Sequence, residues 1–384
     1  MKRRQWLGYG CAQCLLVGGS SVHAQDIYMA PPRFPRPDLA SDEGGLWALM
    51  DREEQRLRRS PFRIRESGLQ EYLQDIACKL GGEHCADLRV YALRSPYFNA
   101  SMAPNGMMQV WSGLLLRLEN EAQLAAVMAH EVGHFLHRHS VERLRDIKAR
   151  SAFGTFMAMF GLIGAVASLA SLAGAFGFTR DQERQADLVG LDLMERAGYD
   201  PREAAKIWSN LSAELAANPE VDPQRNSPML ATHPDALERS RTLAERSQGK
   251  TGVTGEAEFL ARMAPLRFEL LSDELKRNRF DETLVLLERL LQRQPEHGEL
   301  LFFRGETRRQ RAQPGDHDLA LADLSAAAGS GQAPVLTHRS LGHLHRLAER
   351  HDEARRSFER YLELAPAAPD TELLRHYINE GNKS

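Results

Sequence analysis

The 384-residue sequence predicts a mainly α protein with one small β-hairpin or sheet, ending in a tetratricopeptide-like α-solenoid. Three observations carry this. Charged runs with apolar residues at helical spacing fill most of the chain. A single Asn-Gly turn, Pro104-Asn105-Gly106, separates two short apolar runs and marks a hairpin. In the C-terminal part, Arg279-Phe280-Asp281-Glu282-Thr283 and Arg350-His351-Asp352-Glu353-Ala354 lie 71 residues apart. That is about twice the ~34-residue period of helix-pair repeats.

The chain is long enough for about two domains. With a net charge of -3 and 26% charged residues it carries no polybasic footprint, so nucleic-acid binding is excluded as a main role.

Taken in order, Lys2, Arg3 and Arg4 precede an apolar stretch from Trp6 to Val17, and Val22-His23-Ala24 supplies a cleavage site. Residues 1–24 therefore read as a signal peptide cut after Ala24, with an uncleaved membrane anchor as the competing reading. Two cysteines follow the leader, Cys78 and Cys85, bracketing Gly81-Gly82. They predict a short-loop disulfide in an oxidising, extracytoplasmic compartment. A metal clip formed with His84 is the alternative, but it musters only three ligands.

Residues 25–42 contain Pro31, Pro32, Pro35 and Pro37 and predict an extended arm. Two amphipathic helices are expected over 46–80, then a strand over 88–93 and the hairpin over 99–111. The strongest helical region runs from 119 to 150, with one boundary near Asn120-Glu121. Between Arg150 and Arg180 no residue is charged, and the stretch 153–178 is long enough to span a bilayer. Its many Gly, Ser and Ala equally suit a helix pair that is buried or lies on a membrane surface. Helices are expected again over 181–197 and 201–215, followed by a loop over 216–231.

The composition changes near residues 245–260, which places a domain at 25–250 and a second at 257–384. In the second, Gly342, Ala354 and Pro366 fall at successive 12-residue intervals, and Thr283 and Pro295 match the last of these. Small residues let paired helices approach closely, so three degenerate repeat units are expected, one opened by Gly305. A generic helical bundle is the bland alternative.

The chemistry concentrates in His130-Glu131-Val132-Gly133-His134, within a run of good helix formers. Histidines four apart share one helix face, so both can hold one zinc ion, while Glu131 reaches a bound water as general base. A catalytic zinc needs a third protein ligand and an open fourth position. A histidine six residues after His134 would be one source, but position 140 is Ser140. Glu183, in Glu183-Arg184-Gln185-Ala186-Asp187, is the other, with Asp187 on the same face to accept the distal N–H of a ligating histidine. His137 and His139 are expected as exposed residues on the continuing helix. The domain at 25–250 thus reads as a zincin-like zinc metallopeptidase.

This motif pair resembles the gluzincin metallopeptidases of the HtpX and CAAX prenyl protease type. With the leader and repeat tail, the chain is similar over most of its length to periplasmic BepA-like chaperone-proteases. The resemblance implies several roles. Asn99-Ala100-x-x-Ala103-x-x-Gly106 matches the strand pair before the active-site helix, which makes Asn99 a cleft residue and the strand a partner for substrate by β-addition. Thr232-His233-Pro234 makes His233 a regulatory fourth ligand that holds the site latent, against a plain helix-entry turn. Arg239 would orient the cleft or the oxyanion. Implied partners are unfolded or misassembled proteins and the outer-membrane β-barrel assembly machinery, with peripheral membrane contact through 153–178. A chaperone or assembly adaptor with a latent zinc site, or an integral membrane protease, are the rival functions.

Overall fold

The computed structural model describes residues 30–149, 177–218, 227–233 and 236–381. The leader and nearly all of the uncharged stretch 153–178 lie outside them. Among the described residues no helix is long and apolar enough to cross a membrane.

The arm is extended as its prolines dictate, and it is pinned to the body. Arg33 grips Asp87 through two hydrogen bonds of 2.8 and 2.6 Å, and the Pro31 carbonyl meets His84 Nε2 at 2.8 Å. Helix α1 (Asp42–Arg59) starts at the N-cap Ser41, and α2 (Ser67–Gly81) at Glu66, whose carboxylate accepts from Gly68 N. Helix α2 buries Leu69, Leu73, Ile76 and Leu80 at helical spacing. A 3-10 turn (Gly82–Asp87) follows, across which Cys78 and Cys85 stand at disulfide distance with Cα atoms 4.4 Å apart.

Strands β1 (Arg89–Leu93), β2 (Ala100–Met102) and β3 (Met107–Trp111) form one sheet in the order β1-β3-β2. The hairpin pairs Ala100 with Val110, and β1 adds parallel to β3 on the other side, Arg89 opposite Met107. Gly106 is obligatory in this turn: its φ is +85°, and a Cβ there would stand 2.0 Å from the Asp87 carbonyl oxygen. Strand β2 is the edge of the sheet, and it packs against α4.

The helical region expected over 119–150 divides at the expected boundary, Asn120-Glu121, and again at Arg138, and a short helix precedes it. Helices α3 (Ser112–Arg117), α4 (Glu121–Leu136) and α5 (His139–Ala149) are separated by breaks. The second break falls at Arg138, whose φ of +56° turns the chain. Helices α6 (Arg180–Arg196) and α7 (Glu203–Ala216) follow; α6 opens with a capping box between Thr179 and Gln182. The loop expected up to 231 ends early, because Ser227 caps a one-turn helix α8 (Pro228–Thr232) with proline at its start. Helix α9 (Ala236–Arg246) completes this region.

The tail is a run of antiparallel helices: α10 (Glu256–Leu275), α11 (Phe280–Arg293), α12 (Gly298–Arg311), α13 (Asp316–Gly329), α14 (Leu336–Leu347), α15 (His351–Leu364) and α16 (Thr371–Gly381). The small residues sit where neighbours touch. A Cβ on Gly305 would meet Leu324 of α13 at 2.7 Å, and one on Gly342 would meet the Phe358 ring of α15 at 2.4 Å. One apolar cluster runs unbroken from Leu69 through α4 to Leu344. The sequence boundary near 250 is therefore not a gap in the packing.

Candidate metal centre

Helix α4 is anchored at Asn120, whose side chain accepts from Gln123 N at 2.9 Å, and all of its residues are buried. Two glycines then set how closely α6 crosses it. A Cβ on Gly133 would lie 3.0 Å from the Ala186 carbonyl oxygen, and one on Gly190 would lie 3.2 Å from His130 N. This close crossing brings Glu183 and Asp187 of α6 beneath the two histidines of α4.

His130 and His134 point the same way, their Nε2 atoms 3.1 Å apart. Glu183 Oε1 lies 3.5 Å from His134 Nε2, and its Oε2 lies 3.6 Å from His130 Nε2. His233, at the end of α8, completes the group: its Nδ1 is 3.2 Å from His130 Nε2 and 2.8 Å from Glu183 Oε1. All four are buried, and one donor atom from each lies within 4.8 Å of every other. Ligands of a tetrahedral zinc, each about 2.0–2.2 Å from the ion, stand roughly 3.3–3.6 Å apart. The donor set and its spacing fit that ion.

Asp187 sits behind His130, its Oδ1 2.9 Å from Nδ1, and a histidine that ligates through Nε2 donates its Nδ1–H there. Arg239 of α9 holds Asp187 through bonds of 2.9 and 2.5 Å, and its guanidinium lies 3.8 Å over the Trp208 ring. Arg239 therefore faces the back of the ligand set as well as Glu183, whose Oε2 is 3.2 Å from its Nη1.

Electrostatics follow from burial. Burial and the nearby Arg239 cation lower His130 to about 4, and burial lowers His134 too, so both are neutral donors. Against the cost of burial, the His233 and His134 rings hold Glu183 well below the usual carboxylate range. Burial pushes the Glu131 carboxyl up to about 7. Its Oε1 has no hydrogen-bond partner among the described residues and lies 3.5 Å from His233 Nε2. The Met102 backbone of β2 hydrogen-bonds to Glu131, so the edge strand runs beside the expected base. Asn99, just before β2, is buried at 1% exposure with both amide atoms unpartnered among the described residues.

The expectation of an exposed His137 and His139 on a continuing helix is corrected: His137 caps the end of α4 and is half-buried. His139 is not an exposed residue on a continuing helix: it is 1% exposed, with Nδ1 2.9 Å from His134 Nδ1. A residue five positions further along an unbroken helix points away from the first, and only the turn at Arg138 brings His139 back toward His134. Phe178 was also missed by sequence reasoning. It stacks on His134 with ring centroids 3.9 Å apart, and its N–H donates to the Thr232 carbonyl beside His233.

The sequence profile of peptidase family M48 matches residues 63–247. The chain is 27% identical over 270 residues to mitochondrial metalloendopeptidase OMA1 of Arabidopsis thaliana, covering 66% of this chain and 51% of that protein. It is 32% identical over 160 residues to the protein of the same name from Schizosaccharomyces pombe, covering 41% of this chain and 45% of that one. It is 24% identical over 271 residues to the β-barrel assembly-enhancing protease of Escherichia coli, covering 62% and 54%. The chain thus spans about half the length of the curated relatives it matches.

Proposed function

Because residues 63–247 belong to peptidase family M48, we propose that this chain is a zinc-dependent endopeptidase of the cell envelope. It would cut misfolded or misassembled proteins and assist outer-membrane β-barrel assembly. The observation that carries the reading is the buried group His130, His134, Glu183 and His233 with Glu131 beside it.

Zinc bound there supplies Lewis acidity toward the scissile carbonyl and the attacking water. The remaining work falls to side chains. Glu131, raised to about 7 by burial, takes a proton from the water and returns one to the leaving amine. Strand β2 offers its free edge to an extended substrate, with Asn99 at its start as a further polar contact. Asp187 and Arg239 keep His130 oriented. His233, placed among the candidate ligands, occupies the position the water needs, so the enzyme is latent until the His233 ring moves aside.

The leader, the Cys78–Cys85 pair and the stacked helix pairs of the tail support the rest. They suit a periplasmic protein with a tetratricopeptide-like surface for recognising clients, and the E. coli relative's name points to β-barrel assembly. A second reading, an assembly chaperone in which proteolysis is rare, is favoured by the same His233.

Glu131→Gln separates the two. Cleavage of an unfolded reporter protein by the purified chain should fall by about 10²–10⁴-fold in this variant, the usual range for loss of a general base. Stoichiometric zinc should be retained. If envelope quality control in cells is fully supported by Glu131→Gln, the chaperone reading takes precedence.

A further inference from the structure

Resting on the reading of His130, His134 and Glu183 as zinc ligands, we infer that His139 and Gln185 form a neutral hydrogen-bond relay that sets the tautomer of His134. The two ligating histidines are backed in different ways. His130 Nδ1 faces the Asp187 carboxylate, itself gripped by Arg239. Among the described residues His134 Nδ1 faces no carboxylate; its partner is the ring nitrogen of His139, at 2.9 Å. Two imidazole nitrogens at this distance share one proton, so one must donate and the other accept.

Gln185 decides which. His139 Nε2 lies 3.0 Å from Gln185 Oε1, and an amide oxygen only accepts. His139 therefore carries its proton on Nε2 and leaves Nδ1 bare. The bare nitrogen accepts from His134 Nδ1–H, and His134 Nε2 is left with its lone pair toward Glu183 and His130. The stacked Phe178 ring, inclined by only 23°, holds the His134 plane while this happens. The opposite protonation pattern would put a proton on His134 Nε2 and close it to a metal.

Geometry also explains why the relay starts where it does. Gln185 lies on α6 between Glu183 and Asp187, so the helix that supplies the third ligand also sets both histidines. The α4–α5 break at Arg138 is what delivers His139 to this spot. Backing one histidine with a carboxylate and the other with a neutral ring adds only one negative charge behind the ligand set. His139 is thus a positioning residue and touches no substrate.

The test measures zinc affinity of the purified full chain by competition with a chromogenic chelator, together with the visible spectrum of the cobalt(II)-substituted protein. His139→Leu, which removes the acceptor, should weaken zinc binding by about 10–100-fold, the usual cost of losing such a partner. His139→Asn, whose Oδ1 can stand near the lost Nδ1, should recover most of it. Gln185→Leu, at an exposed position that leaves the fold intact, should weaken binding by a smaller factor and alter the cobalt spectrum. Melting temperatures of the metal-free proteins report any general damage. The inference is overturned if both leucine variants bind zinc as tightly as the parent, or if His139→Asn is as weak as His139→Leu at equal metal-free stability. Should the parent chain itself bind no zinc, the ligand reading fails instead.

Discussion

Single side chains decide whether this site is open and how the fold responds to acid. His233 stands 3.2 Å from His130 Nε2 and 2.8 Å from Glu183 Oε1, and in the latent-enzyme proposal it takes the place of the attacking water. His233→Ala should raise turnover of an unfolded reporter several-fold while the three other ligands keep zinc; a drop in activity with zinc retained would give His233 a catalytic part. Far from the metal, Glu54 is a second buried carboxylate with a different fate from Glu131. Against the cost of burial, hydrogen bonds from Arg89, Tyr91 and Arg58 hold it at about 2, below its ordinary value of 4.5. The sign is that of a depressed acid: stability from this network is complete above about pH 4.5 and is lost as pH falls toward about 2. Glu54→Gln should flatten the fall in melting temperature across that window and lower the melting temperature at neutral pH. Glu131, raised rather than lowered, contributes the opposite slope.

Between elements, the controlling contact is the crossing of α4 and α6. The spacing of His130, Glu131 and His134 was legible because four residues make one helical turn. So was Glu183, as the carboxylate that a second helix must supply. The reason the two helices meet so closely lies in Gly133 and Gly190, where a Cβ would stand only 3.0 and 3.2 Å from the other helix's backbone. Gly133→Val should force α6 off the Ala186 carbonyl and weaken zinc binding more than it lowers the melting temperature; unchanged metal affinity would show that the crossing adapts. His139 was misread for an equally physical reason. Helical periodicity carries a residue's direction only while the helix continues, and the left-handed turn at Arg138 resets it. The hairpin was legible from Asn105-Gly106, but the parallel addition of β1 to β3 was not, since no local pattern specifies a non-adjacent partner.

At the scale of the whole chain, the tail is welded to the peptidase region through ions as well as apolar contact. Arg117 of α3, 5% exposed, donates at 2.7 Å to both Glu214 of α7 and Glu274 of α10. Arg289 of α11 adds a 2.7 Å bond to Glu214 and a 3.2 Å bond to the Arg117 carbonyl. Removing one partner of such a buried group leaves a charge uncompensated, at a cost of about 3–5 kcal/mol. Arg117→Ala should therefore lower the denaturant midpoint of the full chain by a large margin, with both regions unfolding together. If the peptidase region and the tail then unfold in separate steps, the network is the joint itself. The resemblance at the level of motif extended across the expected leader, the HExxH region and the expected repeats, whereas this joint links residues 75 to 172 positions apart and left no local trace.

What the sequence determined by itself is local and periodic: helix faces, the Asn-Gly turn, the HExxH spacing, the carboxylate on a later helix and the repeat of small residues in the tail. These follow from the geometry of one turn or one strand, which each short segment carries within it. The tertiary structure alone decided the inward turn of His139, the stacking of Phe178 on His134 and the packing of the tail onto the rest of the chain. The first depends on a left-handed turn that helical periodicity does not announce, and the others on distances between segments far apart in the chain.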